Sequence, residues 1–247
     1  MHEGDTKAAI PTTALQRATS GRQKRGVSIM DRRTWSSLAR AEDGPGLALT
    51  ALLVTVFVAE LFNGGPMAWG LSAAALVEGQ WHTLGTHMLA HAGPVHLVMN
   101  VSGLLALSPI VVWRLGVGPG GWLRYGSVFV LSGLAGAIVY LAIHPTGAVP
   151  MVGASGAICG LWGTAARVSL DGGFHPLRSA QVRRELLAFV KTNLILFTLI
   201  FVLVRLAGGS GGLAWEAHVG GFLFGLLIGP RLSPSLHPRP LPDLRPQ

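Results

Sequence analysis

Val149-Pro-Met-Val-Gly-Ala-Ser155-Gly-Ala-Ile-Cys-Gly-Leu-Trp-Gly-Thr-Ala-Ala166 contains no charged residue. Within it, Gly156-Ala-Ile-Cys-Gly160 repeats small residues at a spacing that lets membrane helices approach closely. The stretch reads as an apolar helix with a serine near its head. Taken alone, Ser155 is explained better by close packing than by chemistry. What surrounds it decides the matter.

Five further apolar runs flank this one: Leu47–Phe62, Pro94–Val112, Tyr125–Ile143, Leu186–Leu206 and Ala214–Gly229. None alternates apolar and polar residues at period two, which excludes a transmembrane barrel. Half of the 247 residues are hydrophobic and 12% are charged, against about 25% charged in ordinary soluble domains. Mean hydropathy is +0.49. The single cysteine, Cys159, rules out an internal disulfide framework. The expected fold class is an all-α membrane protein of six transmembrane helices. Its expected organisation is a disordered basic tail over 1–45, a six-helix domain over 46–230 and a Pro-rich tail over 231–247.

A net charge of +8 is compatible with nucleic acid or with anionic lipid, and its placement favours membrane orientation. If the N-terminal tail lies inside, all but one of the 19 Lys and Arg residues fall on the inner side, Arg205 being the exception. Both termini are then cytosolic. The 64–93 connection lacks Lys and Arg and carries Trp69 and Trp81, as expected of a segment at the outer face. The expected partner is the lipid bilayer, not nucleic acid.

In this topology the second, fourth and sixth runs all descend from outside to inside. His96 follows Pro94 by two residues, Ser155 follows Pro150 by five and His218 follows Trp215 by three. At about 1.5 Å per residue, each lies within one or two turns of its outer helix end. Polar groups at membrane depth are expensive, face the bundle interior and mark function. Asn100 shares a helix face with His96. Gly221-Phe-Leu-Phe-Gly225 on the sixth run is a second close-packing repeat beside His218. Ser155 is therefore a candidate nucleophile and His218 its candidate base. His96, the Asn100 amide and the Ser155 backbone N–H are candidate donors to an oxyanion.

The set His96-Leu-Val-Met-Asn100, Gly153-Ala-Ser155-Gly156 and Ala217-His218-Val-Gly-Gly221 resembles the rhomboid family of intramembrane serine proteases. The resemblance covers roughly residues 47–229 in order and spacing. It implies a six-helix core, a Ser155/His218 dyad without a carboxylate, His96 and Asn100 as oxyanion donors, and a water-filled cavity open to the outside. Substrates would be single-span transmembrane proteins, cleaved near the outer face without a cofactor or metal. The expected location is the bacterial inner membrane, and oligomeric state is unspecified. His91 falls where the family often has a histidine, in a loop or at the cavity. Cys159 stands where an aromatic often stacks on the histidine, and reads as a buried cavity thiol one turn below Ser155.

Other chemistries fit less well. His87 and His91 have metal-ligand spacing, but Met88 occupies the place a zinc hydrolase gives to glutamate. Glu216 points to a different helix face from His218, which disfavours a Ser-His-Glu triad. A catalytically silent, client-binding relative would lack the dyad. Trimming of C-terminal Gly-Gly membrane anchors, as in rhombosortases, is a narrower alternative.

Overall fold

Proline opens the two longest early helices because its missing N–H and fixed φ suit a first turn. In the computed structural model, which describes residues 42–206, 208 and 212–234, these helices are Pro94–Leu115 and Pro119–Ile143. The six apolar helices are α1 (Gly44–Glu60), α4 (Pro94–Leu115), α5 (Pro119–Ile143), α6 (Ser155–Ala165), α7 (Ala180–Leu206) and α8 (Trp215–Ile228). Two short helices, α2 (Ala73–Val77) and α3 (Thr83–Thr86), and a 3₁₀ turn at Pro66–Trp69 fill the connection between α1 and α4. Two isolated bridges, Leu71 to Met151 and Val168 to Phe174, are the only β-type pairings among the described residues. Nearly all of both expected tails lies outside the described residues.

The helices differ in reach from the apolar runs. α4, α5 and α7 are long and apolar enough to cross a membrane. α6 has only 11 residues, about 16 Å at about 1.5 Å per residue, against a hydrocarbon thickness of about 30 Å. The run Val149–Ala166 is thus not helical throughout. Pro150 has no N–H to donate and Gly153 adopts φ +121°, so residues before Ala154 stay extended and pair with Leu71. α8 is also short, at 14 residues.

Glycine sets the centre of the bundle. α6 packs chiefly against α8 and α5. A Cβ on Gly221 would strike the Gly156 carbonyl, and one on Gly225 the Gly160 carbonyl. The two glycine repeats therefore meet backbone to backbone, which brings α6 and α8 closer than any side chain at those positions would allow. Thr164 on α6 adds a hydrogen bond to the Gly225 carbonyl at 3.2 Å. α4 is tied to α5 by a 2.5 Å hydroxyl pair, Ser108 to Tyr125.

α7 stands apart. Only Val182 and Phe189 are buried on its 27 residues. Phe189 stacks on Phe222 of α8 with centroids 4.0 Å apart, and meets Trp162 of α6 edge-on at 5.6 Å. The Trp162 indole donates to Glu185 at 3.1 Å. Beyond this cluster one side of α7, with Asn193, Leu196 and Ile200, lines a cavity, while Leu187, Leu194 and Leu203 are exposed and suit lipid.

Candidate active site

The extended segment ahead of α6 is held from two sides. Leu71 and Met151 exchange backbone hydrogen bonds at 2.9 and 2.8 Å, and the Gly153 N–H donates to the His87 carbonyl at 2.8 Å. Ser155 is the first residue of α6. Its backbone N–H, like that of Gly156, has no acceptor within the helix, so the nucleophile candidate sits at a cluster of free donors. Gly153 is required twice over. Its φ of +121° is strained for any residue with a side chain, and a Cβ there would lie 2.7 Å from His96 Nε2 and 3.7 Å from Ser155 Oγ. Glycine lets the His96 ring and the serine share that corner.

The close approach of α6 and α8 brings His218 Nε2 to 2.7 Å from Ser155 Oγ. The ring is buried, at 3% exposure. Its other nitrogen, Nδ1, is 2.5 Å from Oδ1 of Asn193 on α7. His96 Nδ1 accepts the Ala92 N–H at 3.4 Å, which leaves Nε2 as the protonated nitrogen and aims a donor at the corner beside Ser155. Asn100 is buried; one N–H of its amide goes to the His96 carbonyl at 2.9 Å, and the other remains available to the cavity.

These groups line one cavity of about 1060 Å³. Ser155, His218, Asn193, His96, Asn100 and Cys159 all face it, amid largely apolar walls. Cys159 is buried and belongs to a cluster with Phe189, Phe222 and Leu226. His91 is not part of the cavity wall. It is fully buried in the loop before α4, with its ring edge-on to His96 at 5.2 Å and its Nδ1 2.9 Å from the Leu89 carbonyl. Glu216 also lines this cavity but pairs with His144 at 2.7 Å and makes no hydrogen bond to His218 among the described residues. Among the described residues no three His, Cys, Asp or Glu side chains converge to hold a metal ion.

Asn193 is the site residue that sequence reasoning missed. It sits within an apolar run whose Lys191 draws attention first, and a lone amide there carries no spacing relation to His218. The available signal was its polarity at membrane depth, which by itself asks for a partner.

A family model described as "Rhomboid domain" matches residues 78–235. The chain is similar to the protein called rhomboid protease GluP of Bacillus subtilis (strain 168), at 27% identity over 184 residues, covering 71% of this chain and 32% of that protein. It is also similar to RHOMBOID-like protein 5 of Arabidopsis thaliana, at 29% identity over 153 residues, covering 62% of this chain and 44% of that protein. The matched region thus spans less than half the length of either relative.

Proposed function

This chain belongs to the rhomboid family, and on that premise we propose that it is an intramembrane serine endopeptidase cleaving single-span membrane proteins near the outer face. The observation that carries this reading is the 2.7 Å contact between Ser155 Oγ and His218 Nε2 inside an apolar bundle. His218 takes the serine proton as Oγ attacks the scissile carbonyl, then returns it to the leaving amine. A water entering the cavity releases the acyl group in the reverse sense. The developing oxyanion is held by the Ser155 backbone N–H, the His96 Nε2–H and the free Asn100 N–H. The 11-residue α6 supports this assignment, because a helix too short to span places its first turn at the floor of a cavity.

In the same proposal the chain crosses the membrane six times, α6 completing its crossing together with the extended segment that precedes it; both termini are cytosolic, and the membrane is the bacterial inner membrane. The distribution of Lys and Arg supports that orientation.

The experiment is cleavage of a single-span reporter by the purified protein in proteoliposomes. Wild type cleaves near the outer membrane face, while Ser155→Ala and His218→Ala insert normally and do not cleave. Wild-type turnover by either variant rejects the dyad.

A further inference from the structure

We propose that Asn193 is the positioning residue of this site: its Oδ1 accepts the Nδ1–H of His218 and holds the ring in the tautomer whose bare Nε2 faces Ser155. This rests on the serine-protease reading above and adds a third side chain to it, from a helix that contributes no other polar group to the dyad.

The geometry settles which way the amide points. Asn193 Nδ2 donates to the Phe189 carbonyl, one turn earlier on α7, at 2.9 Å. Turning the amide over would set Oδ1 against that carbonyl, two acceptors face to face, and forfeit the bond. With Nδ2 so committed, the atom 2.5 Å from His218 Nδ1 is an oxygen with only lone pairs to offer. Nδ1 must therefore carry the proton, and in a neutral imidazole Nε2 is then bare. The donor in the 2.7 Å contact with Ser155 is the serine hydroxyl, which is the direction a general base needs.

Nothing else performs this task. Among the described residues Asn193 Oδ1 is the single hydrogen-bond partner of His218 Nδ1. The carboxylates nearby are engaged elsewhere, Glu216 with His144 and Glu185 with Trp162 and Gln181. The pair is also held in register from below. Phe189, four residues before Asn193, stacks on Phe222, four residues after His218, with ring planes 20° apart. One helical turn thus separates an aromatic clamp from the hydrogen bond it aligns.

A merely structural asparagine would leave the tautomer indifferent. The test therefore begins with ¹⁵N-histidine NMR of the purified full chain in nanodiscs, His218 being assigned by difference from His218→Gln. The expected spectrum has Nδ1 protonated and Nε2 bare at neutral pH; a ring protonated at Nε2 overturns the proposal. Labelling rates with a serine-reactive fluorophosphonate follow, for wild type, Ser155→Ala, Asn193→Leu and Asn193→Asp. Asn193→Leu removes the acceptor at similar volume and should label about 10- to 100-fold more slowly with little change in unfolding temperature. Asn193→Asp, which keeps an oxygen at Nδ1, should recover most of the rate. Ser155-dependent labelling that proceeds at the wild-type rate in Asn193→Leu overturns the positioning role and leaves the nucleophile standing. Absence of Ser155-dependent labelling in wild type overturns the serine reading and this proposal with it. Should Asn193→Leu fail to fold, the wild-type tautomer and the Asn193→Asp rate decide.

Discussion

Adding one methyl group at Gly221 tests whether backbone contact between α6 and α8 builds the site. The Cβ of Gly221→Ala would overlap the Gly156 carbonyl oxygen and lie 3.3 Å from the Ser132 carbonyl oxygen. Both obstacles are backbone, so no side chain can swing aside and the helices must separate. Overpacking of this kind costs about 1–3 kcal/mol, while alanine's better helix propensity returns about 0.5–1 kcal/mol. The net expectation is a loss of roughly 1–2 kcal/mol. His218 lies three residues before Gly221, so any separation also lengthens the contact to Ser155. A misplacement of about 1 Å at reacting atoms is worth on the order of 10²-fold in rate. Gly126→Ala in α5 is the control, since a Cβ there meets nothing within 4 Å. Thermal unfolding in detergent and reporter cleavage in proteoliposomes are measured side by side. Gly221→Ala should lose both stability and activity, and Gly126→Ala neither. A Gly221→Ala protein as stable and as active as wild type refutes the backbone-contact account.

Gly153→Ala should insert and fold yet lose Ser155 labelling, because it strains the turn and displaces His96; labelling at the wild-type rate contradicts the shared corner. Asn100→Ala should lower kcat by about 10²-fold while substrate binding holds, since other donors remain; a variant that instead unfolds makes Asn100 a packing residue. His91, outside the spanning helices, is pushed down to about 4 by burial and then by the neighbouring His96 ring. The unfolded ring takes its proton near about 6.5, so the unfolded state binds more protons between these values and stability falls as pH drops through that window. His91→Gln should flatten this fall in unfolding temperature, and an unchanged slope removes His91 from it. Cys159→Phe should lower the unfolding temperature by crowding the Phe189–Phe222 stack, at about 1–3 kcal/mol; a stabilised variant would mean that the site has room for a ring.

Much of the bundle was legible because charge and apolar length are properties of stretches rather than of single contacts. The runs from Pro94 and Tyr125 lie within helices that start on proline, and the pairing of two glycine repeats follows from spacing alone. The length of α6 was not legible from hydropathy. Val149, Met151 and Val152 are as apolar in an extended segment as in a helix, and only Pro150 and Gly153 hinted otherwise. The α2 and α3 turns escaped for a related reason, since four or five residues carry too little period to recognise. At the candidate site, Ser155, His218, His96 and Asn100 could be singled out because each sits in a short motif near a helix end. Asn193 belongs to none. Its partner is set by how α7 leans on α8 through Phe189 and Phe222, a contact between side chains that no one-dimensional spacing encodes.

The most direct measurement of the central claim is mapping of the fluorophosphonate adduct by mass spectrometry on the intact membrane-embedded protein. The account predicts a single adduct on Ser155, lost in His218→Ala and unaffected by a metal chelator. An adduct on any other residue, or one on Ser155 that forms at the same rate without His218, would contradict it.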